Sequence, residues 1–332
     1  VAKLLVMDPS NHIRRFMPRI LLLCAVGSLC TALQISGPEK SLRDGKWFKL
    51  ICGASNQDLP SIRDLSFLYT LAGVDCIDVS CDPAVIKTAR QGIQDALEHQ
   101  YQMGKEPTID QNTPWLMMSV NDDEDPHFRK AHFDPLQCPA DCPRPCEKVC
   151  PANAIKAERG VVGEKCYGCG RCVPICPLKL IDTSSYVLDP AQVSSLIQEV
   201  DCIEIHTQKG HLTHFETLWH QIGEAAAASL KLVAVSFPDM GEETFPNLER
   251  MNEIMSSHPK ANPFKGLHIW QTDGRPMSGD IGKGTTLASV AFAKKVLDSN
   301  SLPFEQAGGG RHFVQLAGGT NAHTGRRLAE QE

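Results

Sequence analysis

The chain has 332 residues, of which 42% are hydrophobic and 22% are charged, and its formal net charge is −6. These proportions are typical of a globular protein and exclude a disordered or fibrous chain. A nucleic-acid binder usually carries a basic domain or stripe, and the sequence contains neither. The length suits one large domain or two smaller ones, and a core of that size is stable without disulfide bonds.

The first 36 residues are predicted to be a targeting extension. The chain begins with Val1, and Met17 is a candidate initiator. Arg19 follows, then a short apolar run at 20–26 and small residues up to Ala32, which is the arrangement of a secretory signal peptide. The alternative is an anchoring helix, but the run is shorter than the roughly 18 residues that span a bilayer. We therefore predict no stable membrane span.

From residue 37 onward, strand-like runs alternate with helical stretches. The predicted strands are 48–52, 76–79, 115–120, 202–206, 231–235, 267–270 and 313–316, and the predicted helices are 60–71, 83–100, 215–230, 247–255 and 285–297. Repeated strand–helix units predict a parallel sheet with helices outside it. Seven units approach the eight of a (β/α)8 barrel, and a doubly wound open sheet is the alternative.

Several predicted strands end in polar or glycine-rich residues, which resemble the loop tips of a barrel, so we favour the barrel. The fold class is then α/β, with a (β/α) barrel-like domain built from residues 37–134 and 187–332. A cysteine-rich insert at 135–186 interrupts the barrel after its third strand.

Eight of the 14 cysteines lie within this insert. Its second half reads Cys166-x2-Cys169-x2-Cys172-x3-Cys176-Pro177, which is the bacterial ferredoxin run for a [4Fe–4S] cluster. In such a run three close thiolates bind one cluster, and the cysteine before proline binds the other. The first half contains four cysteines at wider spacing and ends in Cys150-Pro151, so both halves end with the same pattern, C-x3-C-P-x3-I.

This duplication predicts a ferredoxin-like module with two [4Fe–4S] clusters. The first would be bound by Cys138, Cys142, Cys146 and Cys176, and the second by Cys150, Cys166, Cys169 and Cys172. Structural zinc is one alternative, but it typically uses two separated cysteine pairs. Disulfides are the other, and they leave the spacing unexplained. The cysteines in or beside predicted strands are expected to be core residues, with redox-active thiols as the alternative: Cys52, Cys76, Cys81 and Cys202.

Four residues are predicted to bind a further cofactor or ligand at the carboxyl ends of the strands: Asp273, Arg275, Gly319 and Asn321. Asp273 and Arg275 open a glycine-rich loop, where they form an ion pair or line a pocket for a phosphate or carboxylate. Glu204 and His206 share one face of a strand, which is functional if it points into the barrel and unremarkable if it points to solvent. His127 and His132 flank the insert as weaker candidates.

The sequence resembles the light-dependent period (LdpA) family of cyanobacteria and plastids. The resemblance rests on the segments 46–55, 71–78 and 124–130, on the cysteine block at 138–177, and on 270–282 and 315–324. It implies an iron–sulfur protein that senses redox state and passes it to the circadian clock, with no defined catalytic reaction. It also implies that the eight block cysteines are cluster ligands.

We therefore expect a redox sensor or electron relay that acts on a regulatory or redox protein partner. The alternative is an iron–sulfur oxidoreductase that passes electrons to a flavin or a small molecule at the barrel mouth, and a third option is purely structural clusters. The extension at 1–36 departs from the cyanobacterial pattern. Because metal-binding thiolates favour a reducing compartment, we expect the plastid stroma of an alga, whereas bacterial relatives are cytoplasmic. A eukaryotic host leaves the clock role open.

Overall fold

The computed structural model describes residues 6–7, 37–104, 113–274, 283–299, 301–303, 311–318, 320, 323–324 and 327. Its strands, in chain order, are β1 (Val6–Met7), β2 (Lys49–Ile51), β3 (Cys76–Ser80), β4 (Trp115–Asn121), β5 (Arg129–His132), β6 (Ile155–Lys156), β7 (Gly160–Val161), β8 (Asp182–Ser185), β9 (Cys202–His206), β10 (Leu232–Pro238), β11 (Leu267–Asp273) and β12 (His312–Ala317).

The helices in the same ranges are α1 (Gly37–Arg43), α2 (Leu59–Leu71), α3 (Pro83–Gln102), α4 (Pro145–Val149), α5 (Cys172–Ile175), α6 (Pro190–Leu196), α7 (Leu212–Ser229), α8 (Thr244–Ser257) and α9 (Lys283–Leu297). Short 3₁₀ turns occur at Pro135–Gln137, Ile197–Glu199 and Gly241–Glu243. None of the described helices combines the length and apolar character needed to cross a bilayer.

The main sheet contains seven parallel strands in the order β2-β3-β4-β9-β10-β11-β12, with β1 antiparallel at its end. Each parallel strand pairs with the next parallel strand along the chain. This sequential order excludes the doubly wound alternative, in which the strand order reverses at a switch point. The barrel-like α/β expectation is therefore confirmed at the level of a curled parallel sheet. Among the described strands, β2 and β12 do not pair, so the sheet is curled but open.

The curl brings the two ends of the parallel sheet together at a buried hydrogen bond. The indole N–H of Trp47, just before β2, donates to Oε1 of Gln315 on β12 at 2.8 Å. Helices cover the convex face, where side chains such as Ile77, Val79 and Ile203 pack against them. The helices α2 and α3 cross closely at Gly92, because a Cβ there would lie 2.6 Å from the carbonyl oxygen of Arg63.

The concave face of the sheet changes from apolar to polar along the strands. At the amino-terminal end of the strands, a small core contains Trp47, Cys76, Trp115, Cys202 and Leu232, among others. Toward the carboxyl ends the inward side chains become polar while remaining buried: Lys49, Asp78, Ser119, Glu204, Ser236, Gln271 and Gln315. A buried polar layer requires internal partners, so the interior is organised around hydrogen bonds and ion pairs.

The four cysteines predicted to be core residues are all buried, as expected. Burial raises the pKa of both Cys52 and Cys81 to about 12. A thiol with a raised pKa is a poor nucleophile, which argues against the redox alternative for these two residues.

The insert follows β4 and forms its own small layer of structure. It contains two antiparallel ribbons, β5–β8 and β6–β7, and the short helices α4 and α5. Its core consists of Ala131, Cys146, Ala154, Ile155, Cys166, Cys172 and Ile181. The thiols therefore form part of the packing of the insert.

Candidate metal centre and the adjoining barrel mouth

Four of the eight predicted ligands line one small, partly open pocket in the insert. They are Cys150, Cys166, Cys169 and Cys172, the set predicted for the second cluster. The remaining lining includes apolar residues such as Ala131, Ala152 and Ile155, together with Tyr167 and Arg171. Four sulfur donors around an apolar cavity match the donor set of an iron–sulfur cluster.

Glycines shape the loop that carries three of these cysteines. Gly168 and Gly170 have φ values of 71° and 73°, which L side chains rarely adopt. A Cβ on Gly168 would overlap the carbonyl oxygen of Arg129 on β5. The carbonyl oxygen of Gly168 in turn accepts a hydrogen bond from Nε of Arg129 at 2.8 Å. The cysteine loop is thus wrapped tightly against β5.

Backbone N–H groups point at two of the sulfurs. The N–H of Ala131 donates to Sγ of Cys166 at 3.4 Å, and the N–H of Ala154 donates to Sγ of Cys150 at 3.2 Å. Hydrogen bonds of this kind stabilise thiolates and tune the potential of a cluster. Burial and the neighbouring Cys169 raise the pKa of Cys172 to about 11. Metal ligation deprotonates such thiols, so binding of a cluster would release protons.

The other four cysteines are near enough to influence one another electrostatically. Burial raises the pKa of both Cys138 and Cys146; nearby Cys142 and Cys176 add to the rise at Cys138, and Cys176 and Cys138 add to it at Cys146. Burial acts to raise the pKa of Cys176, but the backbone N–H groups of 178–181 outweigh it and lower the pKa. The twelve described cysteines are all free, so the disulfide alternative is wrong for them.

Lys130 on β5 connects the cysteine loop to the barrel. Its ammonium group donates to the carbonyl oxygens of Gly163 and Cys166 at 2.7 and 2.9 Å, and also to that of Ser55. Ser55 belongs to the loop after β2, at the carboxyl end of the sheet, and its hydroxyl donates to the carbonyl oxygen of His127 at 2.6 Å. No local sequence pattern distinguishes Lys130 or Ser55, although both lie in segments that carry the family resemblance.

The structure places Glu204 and His206 on the concave face of β9, inside the curled sheet. Glu204 is 1% exposed and pairs with Lys49, whose Nζ lies 3.8 Å from Oδ2 of Asp78. Burial acts to lower the pKa of Lys49, but the two carboxylates outweigh it and raise the pKa. Burial also raises the pKa of Asp78 to about 7, against the opposing charge of Lys49. These residues form a charged network at the centre of the sheet.

His206 extends this network to the barrel mouth. Its Nε2 lies 3.0 Å from Oε1 of Glu204, and its Nδ1 lies 3.7 Å from Oδ1 of Asp125. Burial acts to lower the pKa of His206, but its hydrogen bond to Glu204 and the charge of Asp125 outweigh it and raise the pKa to about 9. Nδ1 of His127 lies 2.7 Å from Oδ1 of Asp125. Of the two flanking histidines, His127 joins this group, whereas His132 is exposed on β5.

Of the predicted cofactor-binding residues, Asp273 alone is described. It is 6% exposed, accepts a hydrogen bond from the hydroxyl of Ser236 at 3.0 Å, and interacts electrostatically with His127 and His206. The other three, Arg275, Gly319 and Asn321, lie outside the described residues. Burial raises the pKa of Asp273. Asp273 therefore belongs to the same polar mouth as His206.

Known proteins match both the insert and the part of the chain that forms β9 to β12. A sequence model described as the LdpA Fe-S cluster-binding domain matches residues 138–187, and one described as the Light dependent period A C-terminal domain matches residues 196–332. The Light dependent period A protein of Synechococcus elongatus is 45% identical over 300 residues, which cover 90% of this chain and 78% of that protein.

The fold, the cysteine sets and the matched insert define an α/β protein with an iron–sulfur-binding domain. The extent of the similarity then identifies the family. This chain belongs to the light-dependent period A family.

Proposed function

We propose that this protein is a redox sensor or electron relay in which two [4Fe–4S] clusters in the insert act on a regulatory protein partner through the barrel. The observation that carries the proposal is the position of Lys130. Its ammonium group donates hydrogen bonds both to the backbone carbonyl of the predicted ligand Cys166 and to that of Ser55 at the barrel mouth. A change at the cysteine loop therefore has a direct structural route to the barrel.

The proposed ligand sets are those predicted from the spacing, Cys138, Cys142, Cys146 and Cys176 for one cluster and Cys150, Cys166, Cys169 and Cys172 for the other. The shared cavity of the second set and the N–H groups aimed at its sulfurs support that assignment. Bound clusters supply reversible one-electron transfer. The protein supplies the positioning of the thiolates and the hydrogen bonds to them.

The coupling proposed is electrostatic. Lys130 is half-buried, and the charge of the Cys166 thiol acts on its ammonium group. In a partly desolvated site, a change of one charge nearby alters such contacts by more than it would in water. The strength with which Lys130 binds the Ser55 carbonyl would then follow the redox state of the insert.

The partner is proposed to be a regulatory or redox protein, and the compartment to be the plastid stroma. The name of the cyanobacterial relative refers to a light-dependent period. On that basis we extend to this chain a proposed role in circadian input.

A second candidate function is an iron–sulfur oxidoreductase with a flavin or small-molecule site at the barrel mouth. The buried polar network of Glu204, His206 and Asp273 favours it, because barrel enzymes place their active sites at the carboxyl ends of the strands. Asp273, Arg275, Gly319 and Asn321 are its proposed ligand-binding residues. A flavin or another organic cofactor that copurifies with the protein would support this candidate.

The cluster assignment is tested by anaerobic reconstitution of the full chain. We expect about eight irons and eight sulfides per chain, and electron paramagnetic resonance signals that titrate with potential. Cys169→Ser and Cys138→Ser should each remove one cluster. Cys81→Ser, a buried cysteine outside the insert, is the matched control and should retain both. About four irons in the unaltered chain would contradict two clusters, and zinc in place of iron would overturn the module.

The coupling is tested by hydrogen–deuterium exchange of the loop at 53–57 in the oxidised and reduced protein. We expect the exchange rate to differ between the two states and the difference to disappear in Lys130→Met. Equal exchange in both states, with the clusters shown to change oxidation state, would overturn the sensing proposal.

A further inference from the structure

We infer that Asp125, His127 and His206 form a binding site for a divalent transition-metal ion at the barrel mouth, separate from the cysteine sets. The three residues come from two distant segments, one between β4 and β5 and the other at the end of β9. Each offers one ligand atom, and the three atoms lie within 4.8 Å of one another. This inference does not depend on the proposed redox function.

The geometry suits a shared ion. Nδ1 of His127 lies 2.7 Å and Nδ1 of His206 lies 3.7 Å from Oδ1 of Asp125. Metal–nitrogen and metal–oxygen bonds of about 2.0–2.2 Å place neighbouring ligand atoms about 2.9–3.5 Å apart. The two measured separations bracket that range, so small side-chain adjustments suffice to bind an ion.

The atoms of His206 and Asp125 that would not bind the ion already have polar partners, as is usual for metal ligands. Nε2 of His206 faces Oε1 of Glu204 at 3.0 Å, and Oδ2 of Asp125 accepts a hydrogen bond from the side-chain amide of Gln208 at 2.8 Å. Histidine ligands usually donate their second N–H to a carboxylate, which fixes the tautomer and orients the ring. Glu204 and Gln208 thus hold His206 and Asp125 with their inner atoms directed at the same point.

The surroundings carry an excess of buried acid. Within the described barrel interior and mouth, four carboxylates are at most 6% exposed, namely Asp78, Asp125, Glu204 and Asp273. The buried cationic or basic side chains facing them are those of Lys49 and His206, and the partly exposed His127 also faces Asp125 and Asp273. Buried charge is costly unless it is paired, and a divalent cation at Asp125 would add a charged partner beyond Lys49 and the two histidines.

The donor set also indicates the class of ion. Two imidazoles and one carboxylate bind divalent first-row metals and leave coordination positions for water or a ligand. His127 is partly exposed, with 21% of its side-chain surface accessible, so the site can be reached from the mouth. We therefore assign it a divalent ion such as Fe²⁺, Mn²⁺ or Zn²⁺, with open positions toward the mouth.

A neighbouring group provides a matched comparison. Asp123, His211 and His214 also have ligand atoms within 4.8 Å of one another. The side chains of His214 and Asp123 are 52% and 36% exposed, however, and His211 is already bonded to the buried Asp122 at 3.0 Å. Exposed groups of this kind are common without an ion, so we do not propose a site there.

The test is a Mn²⁺ titration of the full chain with its clusters reconstituted and oxidised. Free Mn²⁺ is counted from its room-temperature electron paramagnetic resonance spectrum, and Mn²⁺ has little affinity for thiolates. We expect one site per chain. Asp125→Asn, His127→Gln and Gln208→Leu should each weaken binding by at least roughly tenfold. His214→Gln and the exposed His132→Gln should bind as the unaltered chain does.

Pulsed spectra of bound Mn²⁺ should show nitrogen coupling from imidazole, reduced in His127→Gln. Circular dichroism and cluster absorbance establish that each variant is folded. The inference is overturned if the folded, unaltered chain binds no Mn²⁺, if His127→Gln and Asp125→Asn bind it unchanged, or if His214→Gln is the variant that loses it.

Discussion

Lys130 and Cys166 are joined by a hydrogen bond of 2.9 Å from the lysine ammonium group to the cysteine backbone carbonyl. Because the same ammonium group also bonds Ser55, one side chain on β5 holds the cysteine loop against the loop after β2. The insert is therefore docked on the barrel mouth through a charge-assisted contact.

Replacing Lys130 with methionine should lower the free energy of unfolding by about 1.5–3 kcal/mol, since the carbonyls would lose a charged donor. Denaturant unfolding followed by circular dichroism and cluster absorbance measures the loss. Lys165→Met is the control, because Lys165 is exposed and lies next to Cys166, and it should change the free energy of unfolding little. Equal stability of the two variants would show that Lys130 does not anchor the insert.

Alanine should destabilise the cysteine loop at Gly168 but not at Gly163. Gly168→Ala places a Cβ against the carbonyl oxygen of Arg129 at a φ of 71°. The positive φ alone costs about 1–2 kcal/mol, and the overlap adds to it. A Cβ on Gly163 would meet no atom within 4 Å, so Gly163→Ala should be tolerated. Iron content after reconstitution should fall in the first variant only; retention of iron by Gly168→Ala would contradict the described loop.

The buried ion pair of Lys49 and Glu204 should be sensitive to removal of one partner. Lys49→Met should destabilise the protein by about 3–5 kcal/mol, because Glu204 would remain as an unpaired buried charge. The double variant Lys49→Met with Glu204→Gln should recover part of that loss. Denaturant unfolding of the two single variants and the double variant measures the coupling. Additive losses would show that the pair does not interact.

Two stacked histidines on the convex side of the sheet should make the protein sensitive to acid. The rings of His268 and His312 lie 4.7 Å apart, and Nδ1 of His312 accepts a hydrogen bond from the indole of Trp270 at 3.2 Å. Burial lowers the pKa of His268 to about 3 and that of His312 to about 4. The folded protein therefore keeps both rings neutral over a range in which the unfolded chain binds protons.

The stability from these histidines is fully present above about pH 6.5 and falls as the pH decreases toward the folded-state values. The loss approaches about 1.4 kcal/mol per pH unit for each ring. His312→Gln should reduce this slope in denaturant unfolding between about pH 6.5 and 4.5. His99→Gln, at an exposed position, should leave it unchanged. If the pH dependence of the free energy of unfolding is unchanged in His312→Gln, His312 does not contribute to the acid sensitivity.

The strands and the ferredoxin-type run were predictable because their signals are local. Each of the seven predicted strands overlaps an observed parallel strand, and the ends differ by at most three residues, since apolar runs between helical stretches specify buried strands. The cysteine spacing likewise depends on short-range loop geometry. The small ribbons of the insert and the helix α6 were not predicted, because their segments are short and lack a clear periodicity.

By itself, then, the sequence determined the parallel α/β class, the place of the insert and the eight candidate thiols. The tertiary structure alone decided which face of β9 points inward and so buried Glu204 beside Lys49. It also brought Asp125 and His127 to His206 and placed Lys130 on the cysteine loop. The physical reason is that these contacts join residues far apart in the chain. They exist only once the sheet has curled and the insert has docked on its mouth.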